Sequence, residues 1–300
     1  MNEIDVSVIL LTLNAGEKFR KVLKSVFNQT YKAYEVIIID SSSIDDTLEY
    51  AKRYPIRIFK IPPWEFGHGK TRNMAANLAK GKYLVYLTQD AIPCNKRWLE
   101  NLIKNFKDYH VGGVFGKQIP LQNSPLPDTF SYSEDFPDKK EVITVNNFFN
   151  RNVIFSNVNS AIRKKVLKKY PFKKDILICE DIYWASFIIR KGFSIVYEPD
   201  ATVVHSHIYS LFKIFKLYFD EGVGYSQMDK TYDQSAMIKN SFHRFFCKIN
   251  FLIKKKQYYW VIYTILVDFT RFIALNLGRN NKYLTNRIKR KMSNFKYYWI

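Results

Sequence analysis

Several charged residues in this chain stand where chemistry is done. Asp40 closes the apolar run EVIIID, and Asp90 follows the run YLVYLT, each just past what reads as a buried strand. In open α/β sheets, ligands collect outside the carboxyl ends of the strands, so a carboxylate there can meet a metal or a ligand. The plainer alternative is that Asp90 caps a turn ahead of Pro93. Glu180 and Asp181 precede Ile182, Ala185, Phe187, Ile188 and Ile189, which sets both acids at a helix N-terminus, where the dipole favours the ionised form. A carboxylate on a pocket rim can take a proton from a hydroxyl, with simple dipole pairing as the alternative. His205 and His207 lie at i and i+2 after a buried run, on one face of a strand, which suits a pair of ligands. Lys70 and Arg72 follow Gly67, His68 and Gly69 at the start of a helix. Cations there oppose the dipole unless an anion sits among them, so WEFGHGKTRN is a candidate anion site, with a solvated turn as its alternative.

The elements that position these residues follow from hydrophobic period. Residues 6–13 (VSVILLTL), 35–40, 56–61 and 84–87 are short apolar runs of the kind a sheet covered on both faces requires. Between the first two, Phe19, Val22, Leu23, Val26 and Phe27 form one helical stripe. Ser41, Ser42 and Ser43 offer capping hydroxyls, and residues 44–54 read as a helix. Trp98, Leu99, Leu102, Ile103 and Phe106 mark another. Strand, helix, strand, helix, strand within sixty residues predicts a doubly wound, mostly parallel α/β sheet with helices on both faces. The proline-rich segment 121–140 reads as a loop able to close over a substrate. Gly112, Gly113 and Gly116 interrupt a strand, residues 155–162 form a short one, and 194–207 form two more ending at the histidines. Neither a GxGxxG after the first strand nor a GxxxxGK[ST] occurs, which weakens dinucleotide and P-loop readings.

Composition narrows the class. Three hundred residues, 47% hydrophobic and 17% aromatic, bury a sizeable core. Cys94, Cys179 and Cys247 show neither CxxC nor zinc spacing, and a reducing compartment fits them best. The polar start MNEID followed by SVILL lacks the layout of a signal peptide, so a cytoplasmic location is expected. The net charge is +20, and residues 239–300 carry fourteen Lys and Arg against one acid, Asp268. Such a tail predicts an anionic partner, nucleic acid or a membrane face.

With these residues in view, the chain resembles the family 2 glycosyltransferases of the GT-A fold, and within them the bacterial rhamnosyltransferase-like branch. The resemblance covers about residues 5–210. It rests on LTLN, IDSSSIDDT, FGHGKTRN, LTQDA, SNVNSAIRK, CEDIYWA and VVHSH, seven motifs in the family's order. It implies an inverting transfer of a sugar from a nucleoside diphosphate sugar to a hydroxyl, with Mg²⁺ or Mn²⁺ holding the diphosphate. Carried over to this sequence, Thr12, Asn14, Asp40, Asp45 and Gln89 line the donor nucleotide site, and Lys70 and Arg72 reach its phosphates. Asp181 matches the catalytic base, with Glu180 beside it. Asp90 matches the last acid of an Asp-x-Asp metal motif, and His205 or His207 a later ligand. Thr88 stands where the first acid usually lies, so the metal has one protein carboxylate fewer and leans on donor phosphates and water. The TQDA form favours dTDP-rhamnose over a UDP-sugar as donor.

Beyond residue 210 the character changes to interleaved aromatics and lysines, giving two regions: 1–210 catalytic, and 211–300 a basic, aromatic, helical appendage. YYWVIYTILVDFTRFIALNLG is as long as a membrane span but contains Asp268 and Arg271, each costing about 2.5–3.5 kcal/mol at a bilayer centre unless paired at i, i+3. Helices packed on the catalytic region and lying in the membrane interface are the expectation; a buried bundle and a true span are the alternatives. Such a location brings the enzyme to a glycan or lipid-linked acceptor at the cytoplasmic face of a membrane. Two other classes compete. A nucleic-acid-binding protein fits the basic tail, yet no HTH, RRM or zinc pattern is present and unshielded acids at strand ends repel phosphate. A catalytically silent scaffold binding a nucleotide sugar at the membrane differs only in lacking turnover.

Overall fold

A computed structural model of the chain describes residues 4–148, 155–228 and 235–299. Nine strands form one sheet: β1 (Val6–Thr12), β2 (Tyr34–Asp40), β3 (Ile56–Lys60), β4 (Tyr83–Thr88), β5 (Ile92–Pro93), β6 (Val111–Ile119), β7 (Glu141–Ile143), β8 (Asn159–Arg163) and β9 (Ser194–Val204). Their order is β3-β2-β1-β4-β8-β6-β9-β5, with β7 on β9. The half β3-β2-β1-β4 is parallel throughout. Antiparallel β8 joins it to a parallel β6–β9 pair.

Helices α1 (Gly16–Val26), α2 (Thr47–Ala51), α3 (His68–Leu78), α4 (Trp98–Ile103), α5 (Leu126–Asp135), α6 (Val145–Phe148), α7 (Lys164–Lys169) and α8 (Glu180–Arg190) accompany the sheet. Side-chain alternation along a strand sends successive residues to opposite faces. Val8 and Leu10 of β1 therefore pack with Phe19, Val22 and Leu23 of α1, while Ile9 joins Ala75 of α3 and Trp184 of α8 on the other face. Burial on both faces is why these runs are continuously apolar.

Five expectations change in detail. The segment 121–140 carries α5, because Pro125 is its N-cap and Pro127 falls in its first turn, where a missing N–H costs nothing. The run from Ser194 is one eleven-residue strand, with its register shift taken up opposite Gly116 and Gln118 of β6. The glycines of β6 leave it continuous: added side-chain atoms would strike Ile188 at Gly112 and the Ala201 carbonyl at Gly116. Residues 155–158 precede β8, and the helix expected over 44–54 shrinks to Thr47–Ala51 because Ser43 is taken up by Asp40.

The appendage comprises α9 (Leu211–Ser226), α10 (Ser235–Lys254), α11 (Tyr258–Arg279) and α12 (Asn286–Met292). It shares an apolar cluster with the sheet region, since Leu177 packs with Phe219, Val223, Ala274 and Trp299. The α9–α11 crossing is made by glycines: a Cβ at Gly278 would lie 2.1 Å from the Phe219 carbonyl oxygen, and one at Gly222 would lie 2.2 Å from that of Leu275. Backbones that meet this closely tolerate no methyl group. Gly278→Ala is expected to lower stability by about 1–3 kcal/mol. A thermal unfolding midpoint equal to wild type would refute that packing.

On α11, Asp268 accepts from Arg271 at 2.9 Å and pairs with Lys248 of α10 at 3.0 Å, and Arg271 also lies 3.8 Å from Asp128 of α5. The charges inside the apolar stretch thus pair at the expected i, i+3 spacing and bind three helices. α11 is long and apolar enough to cross a membrane by length and composition. Ile262, Leu266, Phe269 and Ile273, spaced by four, three and four residues, are exposed along its outer side.

Candidate active site

The chain runs outward from β1 to β2 and β3, then returns through α3 to place β4 on β1's other side. The carboxyl ends of β1 and β4 therefore flank the point where strand order reverses, which is where open α/β sheets bind ligands. Gln89 spans that point: its Oε1 accepts from the Leu13 N–H at 2.9 Å and its Nε2 donates to the Leu13 carbonyl at 3.3 Å.

On the β1–β2 side, Asp40 is fully buried and satisfied by the hydroxyl of Thr12 at 2.7 Å and by the amide and hydroxyl of Ser43 at 2.8 and 2.6 Å. Asn14, held at φ +47°, donates its backbone N–H to Ser43 Oγ and accepts from the Ile44 N–H through Oδ1. Asp45 accepts from the Gly16 N–H at 3.2 Å. Thr12, Asn14, Asp40 and Asp45 thus converge, with Asp40 organising the loop and Asn14 and Asp45 at its exposed rim.

Asp90 lies past β4. Its carboxylate meets His207 Nε2 at 2.9 Å and His205 Nε2 at 3.6 Å. One ligand atom from each of the three lies within 4.8 Å of the others. Burial by itself raises the Asp90 carboxyl, but the His207 hydrogen bond and both imidazoles bring it down to about 2. Burial likewise holds His205 neutral, at about 4. Its Nδ1–H donates to Gln118 Oε1 at 3.0 Å, which directs Nε2 toward Asp90 as a lone pair. A neutral imidazole oriented by a carbonyl-type acceptor, a second imidazole and an ionised carboxylate fit a divalent cation. Gln118 was not legible from the sequence, because β6 reaches the site only by its register against β9, Gln118 pairing with Val203.

Asp181 approaches from α8. Cys179, the residue before the helix, adopts φ +67°, a conformation uncommon for a side-chain-bearing residue and found at sites where geometry is constrained. Asp181 Oδ2 accepts the Asn157 N–H at 2.8 Å. The next residue, Val158, accepts the Thr88 N–H at 3.1 Å, so α8 is tied through this segment to the strand end that carries Asp90. Burial and the neighbouring Glu180 push Asp181 up to about 6, near the range of a general base. Glu180 itself is 2% exposed and engaged by Arg72, itself buried on α3. The two acids therefore differ in environment: Glu180 holds Arg72, and Asp181 has its carboxyl shifted for proton transfer. Lys70, on the first turn of the same helix, is exposed.

His68, which opens α3, went unassigned in the sequence. It is half-buried, and its enclosure lowers it to about 3, so it is a neutral imidazole whose Nδ1 has no partner among the described residues. Its ring meets Phe66 at 5.0 Å and Phe295 of the appendage at 5.6 Å, both edge-on. The C-terminal segment therefore walls the site.

The doubly wound, mostly parallel sheet with its acids at the strand ends is the architecture of the GT-A glycosyltransferases. The chain belongs to glycosyl transferase family 2, whose family model matches residues 7–171. It is 33% identical to the O-antigen chain rhamnosyltransferase WbaN of Salmonella anatum, over 98% of this chain and 95% of that protein. It is 30% identical to the O-antigen chain rhamnosyltransferase RfbN of Salmonella typhimurium, over 98% and 96%. In fold it is similar to a mannosyltransferase of Pyrobaculum calidifontis in complex with GDP-Man and Mn²⁺, with a TM-score of 0.59 at 17% identity, covering 98% of this chain and 84% of that one.

Proposed function

We propose that this glycosyltransferase moves L-rhamnose from dTDP-rhamnose to a hydroxyl of a lipid-linked glycan, with inversion, at the cytoplasmic face of a membrane. The observation that carries the catalytic part is the pairing of two opposed environments at one sheet edge: the low carboxyl of Asp90 between two imidazoles, and the raised carboxyl of Asp181. Groups with such separated proton affinities divide into a ligand and a base. Asp181 takes the proton of the acceptor hydroxyl as it attacks. Asp90, His205 and His207 would hold a divalent cation, which would supply charge neutralisation for the departing nucleoside diphosphate. Two imidazoles to one carboxylate suit Mn²⁺ better than Mg²⁺, which prefers an all-oxygen shell. Asn14, Asp45 and Gln89 receive the nucleotide, while Arg72, held by Glu180, fixes the α3–α8 wall. Lys70, exposed on α3, reaches the phosphates. The choice of rhamnose rests on the two O-antigen relatives and the TQDA form. The membrane location rests on α11: its paired charges face α10 and α5 while its apolar stripe faces out, flanked by Lys254, Lys255, Lys256, Tyr258 and Tyr259.

A ligand that binds only the folded state raises its stability with the logarithm of concentration over Kd. A panel of nucleotide sugars with Mn²⁺ or Mg²⁺ is expected to show the largest thermal stabilisation with dTDP-rhamnose and Mn²⁺. A larger shift with a UDP-hexose would overturn the donor assignment.

A further inference from the structure

Between α9 and the last turn of α12 with the segment that follows it runs an open groove of about 740 Å³. Its polar lining is entirely cationic: Lys216, Arg290, Lys291 and Lys296, beside Phe212, Phe215 and Met292. Among the described residues none of the four cations has an acidic partner. Like charges gathered in one concavity repel one another and raise the local concentration of anions. The walls are held in place. Asp220 of α9, buried, accepts from both the backbone and side-chain amides of Asn294 at 2.9 and 3.0 Å, and Lys213 donates to Asn294 Oδ1 at 2.8 Å.

Both walls continue into the active site. α9 is capped by Ser210, three residues after His207, and Phe212 lies in its first turn. On the other wall, Lys296 follows Phe295, whose ring rests on His68. An anion in the groove is therefore one short segment of chain away from His207 on one side and from the Phe295 ring that rests on His68 on the other. Four cations exceed what one singly charged phosphate needs, and Phe212, 67% exposed, offers apolar surface to a hydrocarbon chain.

We propose that this groove binds the diphosphate headgroup and first chain carbons of the lipid that carries the acceptor glycan, so that the glycan's terminal hydroxyl falls at Asp181. This deepens the proposed function and rests on its lipid-linked acceptor. The probes are farnesyl diphosphate, farnesyl monophosphate, farnesol and inorganic pyrophosphate, titrated calorimetrically into the full chain with EDTA present so that no metal holds a diphosphate at Asp90. Farnesyl diphosphate is expected to bind at least about tenfold more tightly than any of the other three, as charge-assisted contacts and chain burial act together. The combined variant Lys216→Gln, Arg290→Gln, Lys291→Gln, Lys296→Gln is expected to lose at least about tenfold in that affinity, and the milder Lys291→Gln, Lys296→Gln pair a part of it. Both are expected to keep the stabilisation by dTDP-rhamnose and metal. Equal affinity for the mono- and diphosphate, wild-type affinity in the combined variant, or equal competition by phosphatidylglycerol vesicles would each overturn the proposal. Loss of the glycosyltransferase reading would look different: no nucleotide sugar would stabilise the protein, whatever the groove binds.

Discussion

Replacing Asp181 by Asn is expected to slow sugar transfer by at least about a hundredfold while leaving donor binding intact, because a positioned general base contributes about 10²–10⁴ in rate. In free energy that loss is about 3 to 5 kcal/mol of barrier. The exchange is gentle on the fold. Asp181 accepts the Asn157 N–H at Oδ2 and the Ile182 N–H at Oδ1, and Asn retains an oxygen for one of the two, so about 1–3 kcal/mol of stability is at stake. Removing the charge also relieves repulsion with Glu180. The wild-type rate carries a second signature. A base works deprotonated, and burial has raised this carboxyl to about 6, so activity falls as pH drops through that value, to about a tenth one unit below it. The Asn variant is expected to lack this acid limb. Near-normal turnover at neutral pH, or an unchanged acid limb in the variant, would remove Asp181 from the role.

Asp90→Ala is expected to abolish metal-dependent donor binding. The variant leaves two imidazoles, one of them still oriented by Gln118, and no anionic ligand in a chain whose Thr88 already replaces the other acid of the motif. Two neutral imidazoles on a largely hydrated cation do not replace the charge of the carboxylate. The side chain is partly exposed and, among the described residues, its ion-pairing partners are the two histidines, so folding survives the change. Calorimetry that finds the same dTDP-rhamnose affinity with metal for variant and wild type would sink the assignment.

The two results separate functions that the sequence shows as similar acids. Asp40, Asp90, Glu180 and Asp181 all follow or open regular elements, and hydrophobic period and capping place them without ranking them; along the chain only the resemblance of their motifs assigns them different roles. Their surroundings do. Asp40 is enclosed by Thr12 and Ser43, Glu180 by Arg72, Asp90 by two histidines, and Asp181, half-buried, by two backbone amides. Each of the first three pairings joins residues from different elements or loops, so it exists only once the sheet has closed.

Much of the fold was legible because its signals are local. The runs of β1, β2 and β4 are apolar on both faces, the stripe of α1 repeats at helical spacing, and the sheet these elements build is the one observed. Asp268 and Arg271 pair as their spacing implied, since three residues on a helix meet on one side. The errors came where local signals conflict with packing. Prolines in 121–140 read as loop punctuation although two of them open a helix, and the glycines of β6 read as breaks although they make room for Ile188 and Ala201.

By itself, then, the sequence determined the parallel half-sheet, its strand-end acids, the histidine pair and the charged, aromatic tail, because neighbouring residues encode period, caps and charge. Tertiary structure alone decided that Gln118 orients His205, that Asn157 holds Asp181, that Phe295 closes over His68 and that four cations converge beside α9. Those pairs are tens to hundreds of residues apart, and only strand register and helix packing bring their atoms within reach of one another.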